Sequence, residues 1–178
     1  MIQRLTIKTL ADALTSVRPL IGFFLVWLGW KEGKQALPLA AVLMLLAWIT
    51  DILDGPLARM DRVRPVTWIG QHDLEADLIG AGGVWLYLWL AGFLSTAIGA
   101  GYLIFSCASL WLTGSMYVGW GIQVVPFAAM IGTAVVHARP FGWMLIAWLC
   151  IIVVVTWPRL PREKAPEFLR GIALLFRK

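Results

Sequence analysis

Six apolar runs, each near the length needed to cross the roughly 30 Å hydrocarbon core of a bilayer, divide this chain almost from end to end. They cover approximately residues 17–31, 37–54, 73–92, 95–113, 117–136 and 140–157, and the first reaches full length only if it begins near Ala13. The fourth and fifth are separated by Thr113-Gly114-Ser115-Met116 alone, a short turn. The expected fold is an all-α integral membrane protein of six transmembrane helices, forming one domain over residues 1–178 with the six-helix core at 17–157.

Composition agrees with that expectation. At 60% hydrophobic and 14% charged residues, with a mean hydropathy of +0.80, the chain is too apolar for a soluble domain of its size. Several of its eleven tryptophans, including Trp27, Trp30, Trp143 and Trp157, fall at expected span ends, where the ring suits the membrane interface. The net charge of +5 does not point to nucleic acid, because the basic residues gather on no soluble face. Cys107 and Cys150 lie inside apolar runs without CxxC spacing or a histidine partner, so neither a disulfide framework nor a zinc site is expected. The N-terminus lacks a short apolar core followed by a small-residue cleavage site, so no cleavable signal peptide is expected.

The flanks are basic and amphipathic. Residues 1–16 set Ile2, Leu5, Ile7 and Leu10 against Arg4, Lys8 and Asp12, the pattern of a juxtamembrane helix lying on the surface. The tail at 158–178 repeats that character, with Phe168, Leu169, Ile172, Leu175 and Phe176 beside Arg162, Lys164, Arg170, Arg177 and Lys178. Six spans put both termini on one side of the membrane. Of fifteen basic residues, twelve fall on that side (Arg4, Lys8, Arg18, Arg59, Arg62, Arg64, Arg159, Arg162, Lys164, Arg170, Arg177 and Lys178) and only Lys31, Lys34 and Arg139 on the other. The excess of positive charge assigns the terminal side to the cytoplasm.

Against this background the acidic residues stand out. Six of the ten (Asp51, Asp54, Asp61, Asp73, Glu75 and Asp77) lie between positions 51 and 77. Residues three or four apart on a helix share a face. Asp51 and Asp54 therefore project together from the end of the second span, and Asp73 and Asp77 from the start of the third. If those spans return antiparallel, four carboxylates converge at the cytoplasmic interface, where they repel one another unless a cation compensates them. Hard divalent ions with oxygen ligands, Mg²⁺ or Mn²⁺, are the natural compensation.

Glu75 lies about 200° around the helix from Asp73 and is expected to face away. Asp61 reads as a local partner of Arg62 and Arg64 in the loop. Gly55 and Ala58 leave little side chain beside Asp54, so a phosphorylated ligand can approach the backbone, and Arg59 adds a fixed cation suited to phosphate. The plainer alternative pairs the aspartates with arginines nearby in a cytoplasmic loop. Two same-face pairs at span ends are more order than a solvated loop requires. His72 adjoins the cluster as a hydrogen-bonding neighbour, His137 reads as an interfacial residue, and Gly80, Gly82 and Gly83 allow close helix contact on the third span.

The segment Asp51-Ile-Leu-Asp54-Gly55-Pro-Leu-Ala58-Arg59, followed by Gly70 and by Asp73-Leu-Glu-Ala-Asp77, resembles the signature of the CDP-alcohol phosphotransferases, D-x2-D-G-x2-A-R-x8-G-x3-D-x3-D. The first nine positions and the closing D-x3-D match. Between them, ten residues separate Arg59 from Gly70 and two separate Gly70 from Asp73, a net insertion of one residue in the loop. Leu14-Thr15-Ser16-Val17-Arg18 is similar to the L-T-x-x-R with which the family often opens its first helix.

The resemblance implies a six-helix membrane enzyme, often a homodimer, that transfers a phosphatidyl or related group from a CDP-linked donor to an alcohol and releases CMP. By position, Asp51, Asp54, Asp73 and Asp77 would hold two divalent ions, Asp77 would also act as the base on the acceptor hydroxyl, and Gly55, Ala58 and Arg59 would line the cytidine and phosphate pocket. Gly70, Thr15, Arg18, Arg62 and Arg64 complete the candidate site. Most bacterial members use CDP-diacylglycerol, which suggests phospholipid biosynthesis at a bacterial inner membrane. Relatives that take phosphorylated acceptors carry basic residues at the turn between the fourth and fifth helices. Here Leu112 to Trp120 holds none, which favours a neutral or lipidic alcohol, although Arg62, Arg64, Arg159 or Arg162 could substitute. A cation transporter would instead place carboxylates at mid-membrane and often show an internal repeat, and neither is apparent. A non-catalytic membrane scaffold derived from such an enzyme is a third reading.

Overall fold

A computed structural model describes the backbone of residues 2–60, 72–157 and 166, with side chains at 12–53, 72–157 and 166. Its elements are α1 (Ile2–Lys31), a 3₁₀ turn (Gly33–Ala36), α2 (Leu37–Met60), α3 (Asp73–Leu90), α4 (Thr96–Thr113), α5 (Met116–His137) and α6 (Arg139–Thr156), with no strand among the described residues. Five of the helices are long and apolar enough to cross a membrane by composition. The sixth, α3, has 18 residues and carries Asp73, Glu75 and Asp77 within its first turn and a half. The all-α, six-helix membrane architecture expected from the sequence is the one observed.

Two helices run further than their apolar stretches. The backbone is helical without a break from Ile2 to Lys31, so no boundary falls at 16/17. Helix α2 continues past Asp54 to Met60, which puts positions 51, 54, 55, 58 and 59 on one continuous helix. The tail at 158–178, Pro166 apart, and the loop at 61–71 lie outside the described residues.

The outer surface of the bundle is apolar. Leu20, Phe23, Ile104, Phe105, Val154 and Val155 are all exposed, an area no water-soluble monomer leaves uncovered but one that hydrocarbon solvates. Trp30, Trp111, Trp143 and Trp157 are exposed near helix ends, where an interfacial ring belongs. Cys107 and Cys150 are free and exposed. Inside, Leu25, Leu28, Met44, Val84, Leu88, Met130 and Leu145 interlock with Ala40, Ala41 and Ala134.

Helix α1 makes its most extensive contact with α3 and its next with α2. Glycine sets the α1–α3 distance. A Cβ at Gly22 would stand 2.7 Å from the Ile79 carbonyl oxygen, one at Gly29 would stand 3.0 Å from Tyr87 Cα, and one at Gly83 would strike the Gly22 backbone. Gly80 is looser, with its added Cβ 3.6 Å from the Arg18 carbonyl oxygen. Gly82, grouped with its neighbours in the sequence reading, faces open space.

Local chemistry ends and bends the helices. Gly114, at φ 56°, takes the left-handed conformation that closes α4, and its N–H donates to Leu110 O at 2.8 Å. At the start of α4 the Ser95 hydroxyl accepts from Ile98 N–H at 3.4 Å. Within α5, Pro126 has no N–H to return to Ile122 O. The Tyr102 hydroxyl on α4 donates to that carbonyl instead. At the far end of the bundle, Tyr87 Oη donates to Gly33 O at 3.2 Å, Lys34 Nζ sits 5.4 Å from the Phe93 ring centroid, and Phe93 packs on His137.

The close α1–α3 contact separates two otherwise identical substitutions. Ala is favoured over Gly in a helix by about 1 kcal/mol, so Gly82→Ala should leave the thermal midpoint in detergent unchanged or slightly raised. Gly83→Ala gains the same propensity but must push the α1 and α3 backbones apart, at about 1–3 kcal/mol, and should melt lower than Gly82→Ala. Equal midpoints for the two variants would show that the contact does not depend on glycine.

Candidate functional site

Helices α1, α2 and α3 meet where the first turns of α3 lie beside the middle of α1 and the second half of α2, and α2 runs antiparallel to both neighbours. There Arg18 of α1, only 2% exposed, points its guanidinium at three carboxylates. Its Nη1 stands 3.1 Å from Asp51 Oδ1 and also donates to Asp77 Oδ1, while Nη2 donates to Asp73 Oδ1 at 2.9 Å. The planar fork of donors in an arginine suits such a junction better than the point charge of a lysine.

Both elements of the sequence determine this geometry. Asp73 and Asp77 are one turn apart on α3, so both face α1. Glycines at 22 and 83 bring α1 close enough for the buried arginine to reach them. Asp51 approaches from α2 across the same gap. One oxygen from each of the three carboxylates can be chosen so that all lie within 4.8 Å of one another. Asp51 and Asp73 have half-exposed side chains (50% and 48%), whereas Asp77 is 23% exposed.

One guanidinium against three carboxylates leaves a formal charge of −2, three minus one, in a small volume. Such an arrangement of hard oxygen donors, two of them open at the surface, fits a divalent cation. Asp51, Asp73 and Asp77 are the described residues that would hold it.

Beside Arg18, Asp51 and Asp77 a cavity of about 100 Å³ opens into the bundle. Ile21 and Leu25 of α1, Met44, Ala47 and Trp48 of α2, Gly80, Ala81 and Val84 of α3, and Gln123 and Phe127 of α5 complete its wall. Trp48 and Phe127 meet edge to face with centroids 5.4 Å apart. A second hollow on the other side of α1 is bounded by Thr15, Ser16, Pro19, His72, Glu75, Ala76 and Ile79. Glu75 is exposed there and outside the carboxylate group, as its helical angle predicts.

The remaining sequence candidates divide by location. Thr15 is buried one turn before Arg18, on the wall of the second hollow. Asp54, Gly55, Ala58 and Arg59 occupy the last turns of α2, and their side chains lie outside the described set. Gly70, Arg62 and Arg64 lie outside the described residues altogether. Among the described residues, the arginine paired with the aspartates is Arg18 of α1.

Sequence reading assigned Arg18 no such role, although an arginine inside an apolar span is a signal in itself, because a charge there requires a partner. Gln123 was also overlooked. A single amide within an apolar helix carries no motif.

The chain matches the model of the CDP-alcohol phosphatidyltransferase family over residues 8–176. It belongs to that family, and the match extends from α1 through the helical core into the tail. No curated protein and no solved structure matches it.

Removal of the buried cation tests the site without any substrate. Breaking a buried ion pair strands its partners at about 3–5 kcal/mol, and half-exposed Asp51 and Asp73 lower that figure here. Arg18→Gln should therefore lose roughly 2 kcal/mol of stability in EDTA and recover more of it than wild type does when Mn²⁺ is added, read as thermal midpoints in detergent. Wild-type stability in EDTA, with an unchanged Mn²⁺ shift, would contradict the charge balance described.

Proposed function

We propose that this member of the CDP-alcohol phosphatidyltransferase family transfers a phosphatidyl group from CDP-diacylglycerol to an alcohol and releases CMP, using Mg²⁺ or Mn²⁺, as a step of phospholipid biosynthesis. The observation that carries this reading is the convergence of Asp51, Asp73 and Asp77 in a membrane bundle, with Asp51 and Asp77 lining a cavity beside them. A donor with acyl tails can remain in lipid while its water-soluble nucleotide meets those carboxylates. The excess of basic residues on the same side argues that they face the cytoplasm of a bacterial inner membrane. The family resemblance also suggests a homodimer.

The divalent ions, when bound, supply positive charge to the donor pyrophosphate. Asp51, Asp54 and Asp73 would hold them, with Asp77 shared between that role and the acceptor. Gly55, Ala58 and Arg59, on the last turns of α2, would bound the nucleotide and phosphate pocket, and Gly70, Arg62 and Arg64 are further candidates from the sequence that follows. Asp77 is the group best placed for proton transfer because, of the two aspartates that belong both to the carboxylate cluster and to the cavity wall, it is less exposed than Asp51. Its carboxylate accepts the proton of the acceptor hydroxyl, and the alcohol oxygen forms a bond to the lipid-bearing phosphorus. The bond from that phosphorus to the bridging oxygen breaks, and the electron pair leaves with CMP. Arg18 donates to Asp77 and holds its carboxylate toward the reacting end. A base must reach its proton geometrically before its affinity matters.

Purified protein with Mn²⁺ or Mg²⁺ should convert CDP-diacylglycerol to CMP when offered an acceptor from glycerol 3-phosphate, inositol, inositol phosphate, serine and phosphatidylglycerol. Loss of the base should reduce turnover by about 10²-fold or more in Asp77→Asn. No CMP with any acceptor, or full turnover by Asp77→Asn, would sink the mechanism.

A further inference from the structure

From the cavity behind Asp77 we infer that the acceptor presents an uncharged alcohol head with a second oxygen, and that Gln123 selects it by hydrogen-bonding that oxygen. The inference rests on the transferase reading above and goes beyond it in naming the acceptor class and the residue that reads it.

At about 100 Å³ the cavity is well below the roughly 300–1,000 Å³ of a pocket that encloses a drug-sized ligand. It takes the head of an acceptor, not the whole molecule. The charged groups in its described lining are Arg18, Asp51 and Asp77, and Arg18 is already held by three carboxylates. The rest of the described lining is apolar except for one amide. A phosphate or carboxylate carried into this space would meet no further cation among the described lining residues, and an unpaired charge in an apolar wall is strongly disfavoured.

The amide is Gln123, about 10 Å along α5 from its first residue. Its Nε2 is buried and has no hydrogen-bond partner. An orphaned buried donor is unfavourable, and a ligand oxygen that accepts from it relieves the deficit, while a ligand lacking that oxygen does not. The backbone beneath Gln123 is fixed. Pro126 leaves the Ile122 carbonyl without its helical partner, and Tyr102 of α4 donates to it, pinning α5 one residue before the glutamine. An alcohol whose reacting hydroxyl meets Asp77 and whose second hydroxyl meets Gln123 satisfies both ends of the cavity. Glycerol, or the glycerol head of a lipid, has that chemistry.

The test measures CMP release from CDP-diacylglycerol by the full-length protein with Mn²⁺, offering glycerol, phosphatidylglycerol, 1-propanol, serine and glycerol 3-phosphate. Wild type should favour glycerol or phosphatidylglycerol, and glycerol should exceed 1-propanol in kcat/KM by about ten-fold or more. Gln123→Leu and the closer-shaped Gln123→Met should lose that preference through a raised KM for glycerol, so that the glycerol to 1-propanol ratio of kcat/KM falls toward one. An unchanged Mn²⁺-induced rise in thermal midpoint identifies which variant is folded. A preference for serine or glycerol 3-phosphate, or an undiminished glycerol preference in a folded variant, overturns the inference and leaves the transferase standing. Absence of CMP with every acceptor overturns both.

Discussion

The buried guanidinium of Arg18 is the interaction on which the arrangement of the first three helices depends. A cation 2% exposed within a membrane bundle is tolerable only if its charge and its donors are met. Asp51, Asp73 and Asp77 meet them from two other helices. The dependence is mutual, because three carboxylates within 4.8 Å repel one another without a cation among them. Apolar packing along α1 and α3 would allow the helices to slide. The arginine junction, with Gly22 stacked on Gly83, fixes their register.

Among the described residues the same junction is under-neutralised. One arginine cannot balance three aspartates, and Asp54 follows one turn further along α2. A fold selected only for stability would have matched the charges or replaced them, since buried ion pairs rarely improve on well-packed apolar residues. Residual negative charge, exposed on the Asp51 and Asp73 side and adjoining a cavity on the Asp77 side, is better explained by a divalent cation and a reacting ligand than by packing. Arg18 then acts as the fixed component of the positive charge and the metal as the exchangeable one.

Much of this was legible from residue order alone. The six helices appeared as six apolar runs, and the carboxylates appeared as same-face pairs at span ends, because both signals are local. Helix ends were less legible. Hydropathy marks where the chain leaves hydrocarbon, whereas a helix continues while its backbone bonds and propensities favour it. Leu57, Ala58, Arg59 and Met60 are all good helix formers and carry α2 beyond the apolar run. Long-range pairing was not legible. Arg18 lies 33 residues from Asp51 and 59 from Asp77, and no periodicity on α1 reports what α3 presents. The distinction between Gly82 and Gly83 has the same origin, since only the neighbouring helix decides which of two adjacent glycines must lack a side chain.

Position within the bundle also explains how a water-soluble leaving group and a lipid-embedded reaction can share one site. The half-exposed aspartates face the end of the bundle, where a nucleotide and its counter-ions remain hydrated. Asp77 is less exposed and borders the apolar cavity, where water is scarce. A hydroxyl that enters from the cavity therefore reaches the base in a medium of lower dielectric than the side from which the nucleotide arrives, and electrostatic interactions there are stronger. Because the wall behind it offers an amide and no free cation among the described residues, the proposed acceptor would be chosen for shape and for one hydrogen bond. Charge recognition is left to the donor's side of the same four helices.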